Sequence, residues 1–233
     1  MMGEGIFITG TDTGVGKTYV AAGIARGLKR SGVDVGVMKP AESGCKSRAG
    51  RLVPGDALKL MRSAGIRDSL DLVNPYRFKR PLAPSLAAEI ARKEIDPEKI
   101  ISAYQRLALR HDFMIVEGAG GIMVPLWQDF TYLDLARAFG LPVVIVARPG
   151  LGTINHTLLT ISALQHGGLT VSGVVLNYTR ETRAGLAEKT NPFVIEKLSG
   201  IPVWDVLSHG SRKFTSILVH LKLKTSSRAG SPD

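Results

Sequence analysis

Short apolar runs rich in β-branched residues recur along the chain, separated by longer stretches that mix apolar and polar positions. Runs of this length and composition are typical of strands that are buried on both faces of a parallel sheet. They predict five strands, at residues 5–9, 33–38, 113–116, 143–147 and 171–176.

The stretches between the strands favour helices at residues 17–31, 97–110 and 154–166. Asp96 and Pro97 predict the start of the second helix, because aspartate can cap free amide groups and proline tolerates the first helical position. Strands that alternate with helices imply right-handed crossovers between parallel strands. The pattern therefore predicts an α/β fold, a parallel sheet flanked by helices.

Two segments lack this regular pattern. Residues 41–55 carry Gly, Ser, Lys, Arg and Pro without apolar periodicity, so they predict a loop after the second strand. Residues 208–233 begin polar and basic, show an ambiguous apolar run at 217–223, and end in Ser, Arg, Gly and Pro. We predict a single domain over residues 1–207 and a partly disordered basic tail over 208–233, dispensable from Ser226 onward.

Composition supports this organisation. The 233 residues are 44% hydrophobic, which suits one α/β domain. No run reaches the ~18 apolar residues that a membrane span needs, and the first five residues lack the layout of a secretion signal. We therefore expect a cytoplasmic protein with no membrane partner. Cys45 has no second cysteine or nearby histidine at metal-ligand spacing, so we interpret it as an ordinary loop thiol.

The formal net charge of +10 could indicate a nucleic-acid partner, because clustered Lys and Arg release counterions from phosphates. The basic residues are dispersed, apart from three groups: Arg26, Lys29 and Arg30; Lys46, Arg48 and Arg51; and the segment after Ser211. Solvated surface charge is the favoured interpretation. We expect no nucleic-acid partner.

The most informative motif is Gly10-Thr-Asp-Thr-Gly-Val-Gly16-Lys17-Thr18, between the first predicted strand and helix. Glycines let several backbone amides face one anion, and the helix N-terminus adds partial positive charge. Lys17 would neutralise phosphate oxygens, and Thr18 would offer its hydroxyl to Mg²⁺. Five residues separate Gly10 from Gly16, although the usual phosphate loop has about four. The motif predicts a P-loop NTPase-like domain that binds ATP or a similar nucleotide.

Two acidic residues are candidates for a metal site. Glu117 follows the third predicted strand, and the carboxyl ends of parallel strands form the edge where ligands bind. Mg²⁺ prefers oxygen ligands, so Glu117 and Asp56 could complete a site beside Thr18. Asp56 also fits a second, compatible role, because Pro-Gly-Asp before Ala-Leu is a good helix start with aspartate as the cap.

Two polar residues at strand ends are ambiguous from position alone. Lys39 follows the second strand, where its ammonium group could face phosphates or solvent equally well. Asn177 follows the fifth strand and could pair with N6 and N7 of adenine. A plain turn asparagine is nearly as well supported.

Six motifs, in chain order, resemble those of the dethiobiotin synthetase family. The resemblance covers roughly residues 5–204, and the five-residue spacing of the phosphate loop is the form that this family has. The motifs are Gly10-Thr-Asp-Thr-Gly-Val-Gly-Lys-Thr18, Lys39-Pro40 with Ser43-Gly44, Asn74-Pro-Tyr76, Val116-Glu-Gly-Ala-Gly-Gly121, Gly152-Thr-Ile-Asn-His156 and Ile201-Pro202.

The resemblance implies an ATP- and Mg²⁺-dependent cyclo-ligase of biotin biosynthesis. Its substrates would be 7,8-diaminononanoate and CO₂, and its products dethiobiotin, ADP and phosphate. One amine becomes a carbamate, the γ-phosphate moves to that carbamate, and the second amine closes the ring. The family is dimeric, so the resemblance also implies a homodimer with the substrate across the interface and residues 150–155 reaching from the partner subunit.

Site residues are carried over from the family by position. The resemblance implies catalytic roles for Lys39, Lys17 and Thr13, and a metal site made by Thr18, Asp56 and Glu117. It implies substrate contacts at Thr13, Lys39, Ser43, Gly120, Gly121, Gly152 and Asn155. It implies nucleotide contacts at Asp12, Gly14, Val15, Gly16, Lys17, Thr18, Tyr19, Asp56, Glu117, Gly118, Ala119 and Gly120 and, beside the adenine, at Asn177, Ile201, Pro202 and Val203.

The chain departs from the family pattern in two places. Tyr178 stands where members often have aspartate, and no residue is carried over after Trp204. Two related P-loop classes are alternatives. A partition or positioning ATPase, which would bind DNA or membrane, needs a second lysine where this chain has Asp12. An amide ligase of the cobyrinate type needs a glutamine-hydrolysing domain with a cysteine nucleophile, and Cys45 lacks that setting.

Overall fold

The computed structural model describes residues 4–221. Its strands are β1 (Glu4–Gly10), β2 (Val35–Met38), β3 (Ala41–Glu42), β4 (Lys46–Arg48), β5 (Arg51–Val53), β6 (Tyr76–Arg77), β7 (Phe113–Gly121), β8 (Pro125–Trp127), β9 (Phe130–Thr131), β10 (Val143–Ala147), β11 (Val171–Asn177) and β12 (Val203–Leu207). Its helices are α1 (Lys17–Arg30), α2 (Gly55–Ala64), α3 (Leu70–Val73), α4 (Pro84–Ile90), α5 (Pro97–Ala108), α6 (Tyr132–Phe139), α7 (Thr153–His166), α8 (Leu186–Ser199) and α9 (Thr215–His220).

Six strands form one parallel sheet in the order β12-β11-β10-β1-β7-β2. The predicted α/β fold and all five predicted strands are confirmed, and β7 continues beyond the predicted end to Gly121. The hydrophobic pattern missed β12. This strand lies at the edge of the sheet, and Trp204 and Leu207 are its two buried residues, so its apolar signal is weak.

The three predicted helices form as α1, α5 and α7. The Asp96 carboxylate caps α5 as predicted, because its Oδ1 accepts a hydrogen bond from Glu98 N (2.9 Å). The predicted loop at residues 41–55 is more ordered than its sequence indicated. It contains β3, which pairs with β6, and a hairpin made by β4 and β5, of which β4 is exposed.

The sheet register brings the ends of neighbouring strands together. Met38 pairs with Val116, so Lys39 and Glu117 are the next residues at the same edge. On the other side of β1, Gly10 pairs with Val146, and Thr11 N continues the ladder by donating to Val146 O (3.0 Å). The carboxyl edge of the sheet therefore gathers residues from distant parts of the sequence.

The described part of the predicted tail packs on the domain. Phe214 and Ile217 are buried, and α9 contacts α1 and β12. A Cβ atom at Gly23 would collide with the Phe214 ring, and one at Gly27 would collide with Leu218. The boundary at residue 207 stays a prediction. The predicted disorder and dispensability of the end from Ser226 concern residues outside the described range.

Within residues 4–221, no helix is both long enough and apolar enough to cross a membrane.

Candidate active site

A cavity of about 730 Å³ lies at the carboxyl edge of the sheet. Its wall combines the phosphate loop, the start of α1, residues that follow β2, the carboxyl-terminal part of β7, and residues at and just after the end of β11. Thirteen of the residues predicted for the site line it: Thr13, Gly14, Gly16, Lys17, Thr18, Tyr19, Lys39, Ser43, Asp56, Glu117, Ala119, Gly120 and Asn177.

Four other predicted residues lie directly behind this wall. The carbonyl oxygens of three of them accept hydrogen bonds from wall residues: Asp12 from Lys17 (3.0 Å), Val15 from Asn177 (2.9 Å) and Gly118 from Lys39 (3.0 Å). Gly121 pairs with Gly10 in the sheet register. These residues hold the wall in place through their backbones.

The phosphate loop has the conformation that its glycines predict. Gly14 and Gly16 have φ values of 74° and 95°, in the left-handed region that favours glycine. Gly16 also precedes the first residue of α1, and a Cβ atom there would collide with the Asn177 amide. The loop therefore directs backbone amides of the α1 N-terminus towards the cavity, a preformed site for an anion.

Lys17 brings a buried ammonium group to this loop, with only 7% of the residue exposed. Burial, and after it repulsion from Lys39, lower the pKa of Lys17 to about 8 against the attraction of Glu117, Asp56 and Asp12. A phosphate in the cavity would supply the countercharge that this ammonium lacks.

Lys39 is the centre of a second charged group. Its ammonium lies 2.6 Å from Glu117 Oε1 and 3.4 Å from Asp56 Oδ2. Burial alone would lower the pKa of Lys39, but the charges of Glu117 and Asp56 outweigh burial and raise it above the ordinary value. Lys39 is thus a fixed cation facing the cavity, which excludes the solvent-facing alternative that position alone left open.

The oxygen atoms around Glu117 fit a divalent cation. Glu117 is fully buried, its Oε1 accepts a hydrogen bond from the Thr18 hydroxyl (2.7 Å), and its Oε2 has no partner within residues 4–221. Asp56 lies on the same cavity wall. The described residues contain no group of three or more His, Cys, Asp or Glu side chains that could hold a metal. A nucleotide-bound cation would therefore take further oxygen ligands from phosphates and water.

The structure does not place all of the predicted adenine-contacting residues at the cavity. Val203 pairs with Val174, whereas Leu207 pairs with Asn177 at the cavity edge. Residues 201–203 therefore lie at the opposite edge of the sheet, and the predicted adenine contacts of Ile201, Pro202 and Val203 are wrong. After β12 the chain returns to the cavity, and His209 and Gly210 line it there. Tyr178 and Thr179, which follow β11, line it as well.

Gly152 and Asn155 do not line this cavity. Gly152 precedes α7 in a left-handed conformation (φ 87°), and the neighbouring Leu151 is 93% exposed. Their predicted contact with substrate depends on a second subunit, and it stays a prediction.

Two charged residues of the site were missed by sequence reasoning. Arg148 follows β10 and donates to Asp12 Oδ2 (3.2 Å) and to Thr13 O (3.0 Å). These bonds connect the phosphate loop to the end of β10, the neighbour of β1 in the sheet. Glu42 lines the cavity and is 6% exposed, and burial raises the pKa of its carboxyl. A glutamate inside a segment predicted as a loop gave no signal of burial.

The fold and the phosphate loop define a P-loop nucleotide-binding domain. The family model described as "AAA domain" matches residues 4–209, which include every residue of the cavity wall except Gly210. A solved ParA family ATPase from Chlorobium tepidum TLS has a similar fold, with a TM-score of 0.54 and 18% identity over 90% of this chain and 85% of that chain.

Curated relatives define the family more closely. The chain is 43% identical to the ATP-dependent dethiobiotin synthetase BioD of Thermodesulfovibrio yellowstonii, over 89% of this chain and 90% of that protein. It is 49% identical to the protein of the same name from Anaeromyxobacter dehalogenans strain 2CP-C, over 76% of this chain and 77% of the relative. The chain belongs to the ATP-dependent dethiobiotin synthetase family.

Proposed function

We propose that this chain is an ATP-dependent dethiobiotin synthetase, which uses Mg²⁺ and ATP to convert 7,8-diaminononanoate and CO₂ into dethiobiotin, ADP and phosphate. The observation that carries the proposal is the meeting of Lys17 and Lys39 in one cavity with Glu117 and Asp56. The 43% identity of this chain to a dethiobiotin synthetase, over 89% of its length, supports the same activity.

Lys17 and the phosphate loop would bind the nucleotide phosphates. The backbone amides at the start of α1 and the Lys17 ammonium offer positive charge to the β- and γ-phosphates. Thr13 lies on the same wall, where its side chain would contact the transferred phosphoryl group and the carbamate. The loop would thus orient the γ-phosphate for attack by a carbamate oxygen.

Lys39 would stabilise the negative charge that the carbamate and the phosphoryl group share. Its ammonium is held by Glu117 Oε1 and Gly118 O, so little reorganisation is needed when charge moves during transfer. Ser43, Gly120 and Gly121 would contact the diamine side of the site. Attack by the second amine on the mixed anhydride would then close the ring and release phosphate.

Thr18, Asp56 and Glu117 would hold Mg²⁺ with the nucleotide. When bound there, Mg²⁺ neutralises phosphate oxygens and acts as a Lewis acid. The protein supplies a hydroxyl and two carboxylates, which are hard oxygen ligands of the kind this ion prefers.

Asn177 would recognise the adenine. Its Nδ2 donates to Val15 O (2.9 Å), and its buried Oδ1 has no partner within residues 4–221. This oxygen can accept a hydrogen bond from the adenine N6 amino group. Gly152 and Asn155 would reach the substrate of a neighbouring subunit in a homodimer.

Product analysis tests the activity. Incubation of the protein with 7,8-diaminononanoate, bicarbonate, ATP and Mg²⁺ should yield dethiobiotin by mass spectrometry, together with phosphate. Lys17→Ala should abolish both products, because the γ-phosphate loses its main countercharge. ATP hydrolysis that is equal with and without the diamine, with no urea product, would contradict the proposal.

A further inference from the structure

Glu42 holds the beginning of α2 from a distant point in the chain. Its Oε1 accepts a hydrogen bond from Asp56 N and its Oε2 accepts one from Ala57 N, both at 3.0 Å. Both carboxylate oxygens are therefore engaged with one helix end. Glu42 is 6% exposed, so these bonds lie largely out of contact with water.

α2 cannot cap itself. The residue before its first turn is Pro54, which has no side-chain oxygen and makes no side-chain capping bond. The expectation that Asp56 caps this helix is wrong, because Asp56 lies inside the first turn. Glu42 accepts from the second and third helical amides, the groups that a local serine or aspartate cap would normally satisfy.

The bond from Asp56 N joins Glu42 to the metal-binding group of the proposed function. Asp56 is half-exposed, with 45% of its side chain accessible, and its Oδ2 lies 3.4 Å from the Lys39 ammonium. Because this carboxylate is half-exposed, few side-chain contacts hold it, and its orientation depends on how firmly the first turn of the helix is fixed. The Glu42 carboxylate fixes the turn at the Asp56 amide itself.

We propose that Glu42 is a positioning residue, which caps α2 in order to hold Asp56 towards the nucleotide-bound divalent cation. The assignment of Asp56 as a cation ligand rests on the proposed function. Glu42 does not contact the cation. It acts through the backbone of Asp56, as partners behind metal ligands commonly do.

Three substitutions separate capping from other effects. Glu42→Gln keeps the size of the side chain but turns an amide nitrogen towards a backbone N–H donor. Glu42→Gln with Pro54→Ser gives α2 a local cap. Asp96→Ala removes the cap of α5, a helix outside the cavity wall, and is the matched control for a general loss of capping energy.

The cation can be probed without turnover. Mn²⁺ binding to each folded variant is measured by electron paramagnetic resonance in the presence of ADP, and hydrogen exchange reports on the amides of Asp56 and Ala57. Glu42→Gln should raise the Mn²⁺ dissociation constant by about tenfold or more and speed exchange at both amides. Adding Pro54→Ser to Glu42→Gln should reverse part of both effects. Asp96→Ala should change neither the Mn²⁺ dissociation constant nor the exchange at these amides.

Unchanged Mn²⁺ affinity in Glu42→Gln would overturn the proposal, and so would an equal loss in Asp96→Ala. If Glu42→Gln does not fold, Glu42→Asp provides the test. Its carboxylate is one methylene shorter, so Mn²⁺ binding should weaken, and adding Pro54→Ser should recover part of that loss. Normal Mn²⁺ affinity in folded Glu42→Asp would then overturn it. Mn²⁺ binding and exchange do not depend on dethiobiotin production, so failure of the proposed activity is recognised separately.

Discussion

The Lys39 ammonium lies 2.6 Å from Glu117 Oε1 in the interior of the protein, where both residues are at most 3% exposed. The two residues follow Met38 and Val116, which pair in the register of neighbouring parallel strands. A buried cation at this position is costly unless its carboxylate partner is retained. This relationship leads to two predictions, one on catalysis and one on stability.

Lys39→Gln should lower kcat by on the order of 10²-fold or more, the scale seen when one preorganised electrostatic group is removed. Nucleotide affinity should fall far less, because the phosphate loop provides most of that binding. Lys39→Arg should rescue kcat only partly, since a guanidinium fork is wider than an ammonium. Steady-state kinetics and ATP titration measure these effects, with the exposed Lys93→Gln as control. A near-normal kcat in Lys39→Gln would remove Lys39 from the mechanism.

Lys39→Met should destabilise the fold by about 3–5 kcal/mol, because it leaves the Glu117 carboxylate buried without its cation. Adding Glu117→Gln to Lys39→Met should recover much of that loss, since a neutral amide costs less to bury. Urea unfolding of the wild type, both single variants and the double variant gives the coupling. Additive losses would show that the pair contributes no net interaction.

Gly23→Ala should destabilise the protein by about 1–3 kcal/mol, because the new methyl group collides with the Phe214 ring that packs on α1. Combining it with Phe214→Ala should cost less than the sum of the two single changes, since the smaller side chain makes room for the methyl group. Thermal unfolding of the four proteins tests the packing of α9. A normal melting temperature in Gly23→Ala would contradict it.

Cys45 should react slowly with thiol reagents at pH 8. The residue is 4% exposed, and burial raises the pKa of its thiol to about 11, so little thiolate is present at that pH. Its thiol donates to Glu42 O (3.4 Å). Reaction with Ellman's reagent should therefore become fast only in denaturant, where the single cysteine gives one equivalent. Complete reaction of the native protein within minutes would refute the prediction.

The positive charge should not confer DNA binding. The basic residues show no motif for reading bases, so duplex DNA should neither bind at an ionic strength of about 0.15 M nor stimulate ATP hydrolysis. Fluorescence anisotropy and a coupled ATPase assay measure the two properties. Salt-sensitive binding with DNA-stimulated hydrolysis would favour the partition ATPase alternative.

Local sequence was sufficient for the parts of the site that lie next to a strand end. Gly16, Lys17 and Thr18 follow β1 in one motif. Lys39 and Glu117 each directly follow a predicted strand, so the fold class alone brings these residues together. Their charge partners could not be assigned, because a pairing between two strands depends on the order of the sheet.

Longer-range contacts carried no readable signal. Glu42 contacts the helix that begins at Gly55 directly, although the β4–β5 hairpin separates the two in sequence. Nothing in the local pattern predicts that the Glu42 carboxylate is buried. His209 was missed for a different reason. It follows β12, whose weak apolar pattern hid the strand and, with it, the point where the chain returns to the cavity.

The hydrogen bond from Thr11 N to Val146 O has a consequence for the thermodynamics of ligand binding. It extends the ladder of β1 and β10 one residue into the phosphate loop, so the loop begins as a continuation of the sheet. A loop that is already ordered loses little conformational entropy when a ligand arrives. Phosphate binding here should therefore draw its free energy from charge and hydrogen bonds without a large ordering penalty in the protein.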